Sequence, residues 1–185
     1  LNEARMSLQT GRLRARIEVL IDARRVEPPV CLDERGMLEG WLEFHRVTLL
    51  LKCEGLTDAQ RKARPVATSL MSLHGLVRHM ADVERGWFRR VVAGQDLRHL
   101  LDYSVNDDAD FDVEDADWDI DLASWQAECE AARQAVAGLS LDHTGERRGD
   151  AVSLRWAYHH MIEEYARHNG HADLIRELVD GSVGC

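Results

Sequence analysis

Proline, cysteine and long apolar runs are all scarce in this sequence of 185 residues, which has three prolines and four cysteines. The cysteines lie far apart, with no C-x-x-C pair and no framework spacing, so we expect free thiols in a reducing, cytoplasmic location. The longest mainly apolar stretch, residues 47–51, is far too short to cross a bilayer. Since the chain also lacks a charged start followed by an apolar stretch, we expect neither a signal peptide nor a membrane partner.

Basic residues are not in excess either. The chain has 33 Asp and Glu and 23 Lys and Arg, which gives a formal net charge of −10. Ten of the acidic residues and no basic ones fall within residues 102–121, and the rest of the chain is formally neutral. This pattern excludes a basic nucleic-acid footprint. The acidic stretch has no sustained helical or strand period and is predicted to be a long, solvated connection. Its Asp108, Asp110 and Asp112 are spaced as in a calcium loop, but other residues replace the Gly and Glu that an EF-hand requires.

Apolar residues recur at steps of three and four in four stretches, which predicts four long helices. The helices are expected at residues 34–54, 69–92 and 122–139 and from Ser153 to Gly181. With few prolines and no strand candidates, we predict an all-α fold, a four-helix bundle with long connections, over residues 34–185. Residues 1–33, which include an arginine-rich helical stretch and a Pro-Pro break, are predicted to form a separate N-terminal arm.

Glu164 and His168 are two polar residues on the apolar face of the last predicted helix. At about 100° per residue, with Met161 at zero, they fall near −60° and −20°, whereas Glu163 and His159 point to the opposite side. A carboxylate among core side chains must be protonated, paired with a cation or bound to a metal. A divalent ion would satisfy both polar residues at once.

On the second predicted helix the same construction turns His79 inward and His74 outward. His79, Glu164 and His168 would supply two imidazoles and one carboxylate, which suit zinc or a similar ion and leave a coordination position open. From spacing alone two simpler interpretations stay open. Glu164 and His168 could form a buried ion pair, or the histidines could be core residues bonded to backbone carbonyls.

The segments LHGLVRHMADVERGWF (residues 73–88) and residues 153–184 resemble the DinB-like superfamily, with further similarity in LEFHR, CEGLTD and HNGHAD. The resemblance spans roughly residues 34–184 and is strongest to the mycothiol-transferase-like branch of these DinB/YfiT-type proteins. It implies a four-helix bundle, often a homodimer, whose divalent metal is held by residues corresponding to His79, Glu164 and His168. Zinc is the first expectation, with nickel or another divalent ion as alternatives. Many relatives have His at the position of Glu164, whereas the mycothiol-dependent maleylpyruvate isomerase branch has Glu there, as this chain does.

The resemblance implies a metal-dependent S-transferase in which the metal activates a low-molecular-weight thiol of the mycothiol type to attack an electrophile. The thiol is then a cosubstrate, and thiol and electrophile are the small-molecule partners. Two rivals remain: a non-catalytic, dimerising, stress-related metal-binding bundle, and a structural module in which Glu164 and His168 pair with each other or with an arginine. His160 and His171 lie at the edge of the apolar stripe, where His171 could support His168, shuttle protons or simply pack.

Overall fold

The computed structural model describes residues 24–184, and most of the predicted N-terminal arm therefore lies outside the described residues. Residues 24–33 contain no helix or strand, and the proposed arm boundary stays a prediction. The elements, in chain order, are α1 (Glu34–Cys53), α2 (Asp58–Lys62), α3 (Leu73–Glu84) with its π-helical continuation (Arg85–Val92, the π segment), α4 (Trp118–Val136), β1 (Thr144–Arg147), β2 (Asp150–Ser153) and α5 (Leu154–Asp180). The chain is mostly helical, as predicted, and none of these helices is long and apolar enough to cross a membrane.

Side chains at the helix starts fix where the helices begin. Asp33 accepts a hydrogen bond from the Gly36 amide at 2.8 Å, and Ser153 accepts one from the Trp156 amide at 3.1 Å. Each satisfies an amide that the first turn would otherwise leave open. At the far end of α5, Gly181 adopts the left-handed conformation (φ 78°) that closes a helix readily only with glycine. These local signals explain why the predicted ends of α1 and α5 lie close to the observed ones.

The hydrophobic core lies between α1, α3, α4 and α5. Helix α1 packs mainly on α5, and α3 packs mainly on α4, while the π segment contacts α4 and the hairpin of β1 and β2. The fully buried apolar side chains come from all of these helices and include Leu42, Leu49, Leu76, Met80, Phe88, Ala132, Leu154, Met161 and Tyr165. The packing of α3 beside α5 is what brings the polar residues of those two helices together.

Helix α4 begins at Trp118, four residues earlier than predicted. The Asp117 carboxylate accepts hydrogen bonds from the amides of Asp119 and Ile120, and the two acidic residues of the first turn suit the positive end of the helix. The end of the acidic stretch is therefore a helix start, and the connection ends at Asp117.

The prediction that the chain has no strands was wrong. β1 and β2 form an antiparallel hairpin in which Arg147 pairs with Asp150. Arg148 (φ 56°) and Gly149 (φ 90°) make its two-residue turn. A Cβ atom on Gly145 would lie 1.8 Å from the Val91 carbonyl oxygen, so β1 lies directly on the π segment. The strands are four residues long and mostly exposed, so they lack the apolar alternation by which a strand is recognised.

Candidate metal centre

Three residues predicted as metal ligands meet between α3 and α5. Potential ligand atoms of His79, Glu164 and His168 all lie within 4.8 Å of one another. The His168 Nε2 atom is 3.3 Å from Glu164 Oε2, and the ring centroids of His79 and His168 are 4.7 Å apart. All three side chains are partly buried. That they bind a metal stays a prediction, although two imidazoles and one carboxylate in such proximity form a suitable donor set.

The ring of His79 is held on both its edge and its face. Its Nδ1 atom lies 2.8 Å from the Asp110 Oδ2 atom, and the ring of Phe111 is stacked on it with centroids 5.9 Å apart. A carboxylate partner at Nδ1 favours the tautomer with the proton on that nitrogen. The Nε2 lone pair of His79 is thereby left for a ligand.

His168 is suited to bind a cation because its imidazole is neutral at pH 7. Burial lowers the pKa of His168 to about 4, and the neighbouring His79, His171 and Arg167 act in the same direction. A metal requires the unprotonated ring, so no proton has to be removed from His168 at neutral pH. The Nδ1 atom of His171 lies 3.4 Å from Nδ1 of His168, which places it beside the cluster. A part in proton transfer stays a prediction for His171.

His160 approaches Glu164 from the side opposite His168. Its Nε2 atom is 3.4 Å from Glu164 Oε1, and its ring is stacked on Trp156 and meets the edge of Trp87, with centroids 4.9 and 4.4 Å away. The three potential ligands His160, Glu163 and Glu164 also lie within 4.8 Å of one another. This second group shares Glu164 with the first. Its third member, Glu163, is exposed and paired with Arg167, so it is a weaker candidate ligand than the partly buried His168.

A cavity of about 840 Å³ opens beside the cluster, and His79 lies on its wall. Its sides come from α3 and the π segment, from the connection before α4, and from the hairpin. Charged side chains line much of it: Arg90, Arg147, Arg148, Asp82, Asp96, Asp107, Asp110 and Glu146. The Arg147 guanidinium lies 4.4 Å above the ring of Trp87. Such a wall offers both hydrogen-bonding groups and an aromatic face to a polar ligand.

One sequence-based expectation about this region was wrong, and a second holds for most residues of the connection but not for all. His74, expected to point outward, is fully buried, and its Nε2 atom lies 2.8 Å from Asp121 Oδ2. The connection, expected to be solvated, buries Asp110 and Val113. Both differences have one cause, because other segments pack on the side of α3 that a two-sided helix picture assigns to solvent. The start of α4 covers His74, and the connection lies next to it against Gly75. By contrast, Glu163 and His159 are exposed, as predicted.

Sequence reasoning gave no role to Glu84, which forms a core ion pair with Arg46. The Nε and Nη2 atoms of Arg46 donate to the two carboxylate oxygens of Glu84 at 2.8 and 2.7 Å. The Tyr165 hydroxyl donates to the same carboxylate at 2.8 Å and accepts from Trp125 Nε1 at 2.9 Å. A signal for Glu84 did exist, since on the helical wheel it lies about 80° from Leu76, close to the buried face.

The fold and the site together define a class of protein. This is a mostly helical chain with a candidate site for a single metal ion, made of two imidazoles and one carboxylate, beside an open cavity. The family model for Mycothiol-S-transferase matches residues 37–181. The chain therefore belongs to this DinB-like family, in agreement with the resemblance noted in the sequence. A search of curated proteins found no match.

Proposed function

We propose that this protein is a divalent-metal-dependent S-transferase that joins a low-molecular-weight thiol of the mycothiol type to an electrophile. The observation that carries the proposal is the cluster of His79, Glu164 and His168 beside the 840 Å³ cavity, in a chain that belongs to the Mycothiol-S-transferase family. The proposal includes the four-helix bundle and the homodimer that the family resemblance implies, and zinc as the first metal to test.

His79, Glu164 and His168 would hold the ion, and three protein ligands leave a position for a small molecule. A divalent ion at such a site lowers the pKa of a bound thiol, which makes the thiolate available near neutral pH. Glu164 offsets one of the two positive charges of the ion, whereas the neutral His168 leaves the other in place. The wall of charged side chains and Trp87 would bind and orient the polar parts of thiol and electrophile.

The described cysteines support an external thiol as the nucleophile. Cys31, Cys53 and Cys129 are free thiols, and none of them lines the cavity. Burial raises the pKa of Cys53 to about 12 and also raises the pKa of Cys129, so neither forms a thiolate at neutral pH. The reactive sulfur would therefore arrive with the cosubstrate.

Metal content and product formation test the proposal together. We expect about one zinc ion per chain by elemental analysis after reconstitution of the wild-type protein. His79→Ala and Glu164→Ala should lose the ion, whereas His159→Ala and Glu163→Ala, which remove the same groups from exposed positions of α5, should retain it. Circular dichroism checks that every variant is folded.

Turnover is measured by mass spectrometry of mycothiol incubated with chlorodinitrobenzene or N-ethylmaleimide, with and without protein. We expect zinc-loaded wild-type protein to form the thioether faster than the protein-free reaction, and Glu164→Ala to lose this acceleration. A wild-type protein that binds no metal, or equal metal loss in Glu163→Ala and Glu164→Ala, would refute the site. A loaded protein without acceleration for any electrophile would favour the non-catalytic, metal-binding alternative.

A further inference from the structure

We infer that Asp110, in the acidic connection, is a positioning residue that sets the tautomer and orientation of His79 for metal binding. The inference rests on the proposed function, because it assigns a task to a neighbour of a proposed ligand. Its basis is the 2.8 Å contact between Asp110 Oδ2 and His79 Nδ1. The Asp110 side chain is as buried as a core residue, with the whole residue 6% exposed.

A carboxylate buried to this degree requires strong compensation. Asp110 has two partners: Oδ2 faces His79, and Oδ1 accepts the amide of Phe111 at 3.1 Å. His79 is thus the only described side chain that compensates Oδ2 by a hydrogen bond. Metal-binding histidines commonly donate their second ring nitrogen to a carboxylate, which fixes the ring and raises the basicity of the ligand nitrogen.

The connection is clamped so that this contact is maintained. Arg78, the residue before His79, donates to the carbonyl oxygens of Asp110 and Ala109 at 3.2 and 3.0 Å and to Asp121 Oδ2 at 3.0 Å. One arginine of α3 therefore holds the segment around Asp110 and the start of α4 at once. Burial raises the pKa of Asp121, but hydrogen bonds from His74 and Arg78 outweigh it and lower that pKa, so the anchor stays charged.

Close packing of the connection on α3 depends on a glycine. A Cβ atom on Gly75 would lie 2.6 Å from the Phe111 ring and 3.2 Å from the Phe111 Cα atom. Phe111 stacks on His79 and follows Asp110 directly, so a side chain at position 75 must displace Phe111, and we expect that displacement to disturb the contact of Asp110 with His79. The acidic connection, which shows no regular period in the sequence, thus supplies the two groups that hold His79 by its edge and its face.

Zinc affinity, measured by competition with a chromophoric chelator, is the first test. We expect Asp110→Asn, which keeps the shape and the acceptor for the Phe111 amide, to weaken zinc binding by about 10- to 100-fold. Asp112→Asn is the matched control, because it removes the same charge from an exposed position two residues away. Gly75→Ala should weaken binding as well, without any change of charge.

The His79 tautomer in the metal-free protein is the second test, read by ¹⁵N–¹H correlation of its ring. We expect the proton on Nδ1 in the wild type and in Asp112→Asn, and a loss of that preference in Asp110→Asn. Unchanged zinc affinity, or an unchanged tautomer, in a folded Asp110→Asn protein would overturn the inference. If the wild type binds no zinc, the proposed function fails, and the tautomer alone decides whether Asp110 orients His79.

Discussion

The buried pair of Arg46 and Glu84 gives the sharpest test of how the helices hold together. Both side chains are almost inaccessible, at 6% and 0% side-chain exposure, and two hydrogen bonds of 2.8 and 2.7 Å join them. Burial alone would lower the pKa of Arg46, but Glu84 outweighs it and holds that pKa well above its usual value. Even without Glu84 we expect Arg46 to stay charged, because a guanidinium group is effectively always protonated in proteins, and it would then lack a buried partner.

The expected cost follows from that stranded charge. Breaking a buried ion pair by removing one member destabilises proteins by about 3–5 kcal/mol. In Glu84→Leu the Tyr165 hydroxyl also loses its acceptor, which adds about 1 kcal/mol. Against a total stability of roughly 5–15 kcal/mol, this would be a large loss. The double variant Arg46→Met with Glu84→Leu removes both charges and should lose only about 1 kcal/mol, because replacing both members by apolar groups is often near neutral.

Urea denaturation followed by circular dichroism at equilibrium measures all of these free energies. Glu43→Gln is the control, because Glu43 also contacts Arg46, at 3.4 Å, but is 47% exposed and should contribute less than about 1 kcal/mol. The single variant Arg46→Met is measured as well. A loss below about 1 kcal/mol in Glu84→Leu, or a double variant whose loss equals the summed losses of Arg46→Met and Glu84→Leu, would refute this reasoning. The first result would mean that water or another group compensates the guanidinium, and the second would mean that the two charges are not energetically coupled.

Two further predictions concern acid stability and the hairpin. Burial raises the pKa of Glu128, but hydrogen bonds from Arg85 and Arg89 outweigh it and lower that pKa, so Glu128 stabilises the fold above its unfolded pKa of about 4.3. The difference in free energy of unfolding between wild type and Glu128→Gln, measured by urea denaturation, should therefore reach its full size at pH 7. It should shrink as the pH falls from the unfolded pKa of Glu128 through its lower pKa in the folded protein. Gly145→Ala should lower stability by about 1–3 kcal/mol, since the added methyl must push β1 off the π segment. Gly170→Ala, with no atom in its way, should instead stabilise by about 0.5–1 kcal/mol.

A different result would contradict each of these predictions. A Glu128→Gln difference that persists undiminished in acid would mean that the carboxylate does not titrate with the predicted sign. Equal effects of the two glycine substitutions in thermal denaturation would mean that the contact between β1 and the π segment is not tight.

Local patterns in the sequence predict the helices well because their determinants lie within a few residues. The caps at Asp33 and Ser153 and the left-handed Gly181 are all set by near neighbours. The same applies to the exposure of Glu163 and the partial burial of Glu164, since a step of one residue along a helix turns the side chain by about 100°. The helical wheel therefore finds side chains that face inward whenever a helix has a single buried face.

What sequence patterns miss depends on segments that meet over long separations. Asp110 lies 31 residues from His79, and Glu84 lies 38 residues from Arg46. No spacing rule joins such pairs. His74 was misplaced for the same reason, because the start of α4, which buries it, follows dozens of residues later. The π segment has no local sequence signature that we recognise, and the hairpin strands are too short and polar to stand out.

The hairpin bears on which molecules the cavity can admit. Three of its residues, Glu146 to Arg148, reach the cavity, yet none belongs to the His79, Glu164 and His168 cluster or to the clamp around Asp110. The connection has no such independence, because a change near Asp110 also disturbs His79. The hairpin tip is therefore the part of the cavity wall where we expect mutation to alter which molecules enter without changing a residue that contacts the candidate ligands directly.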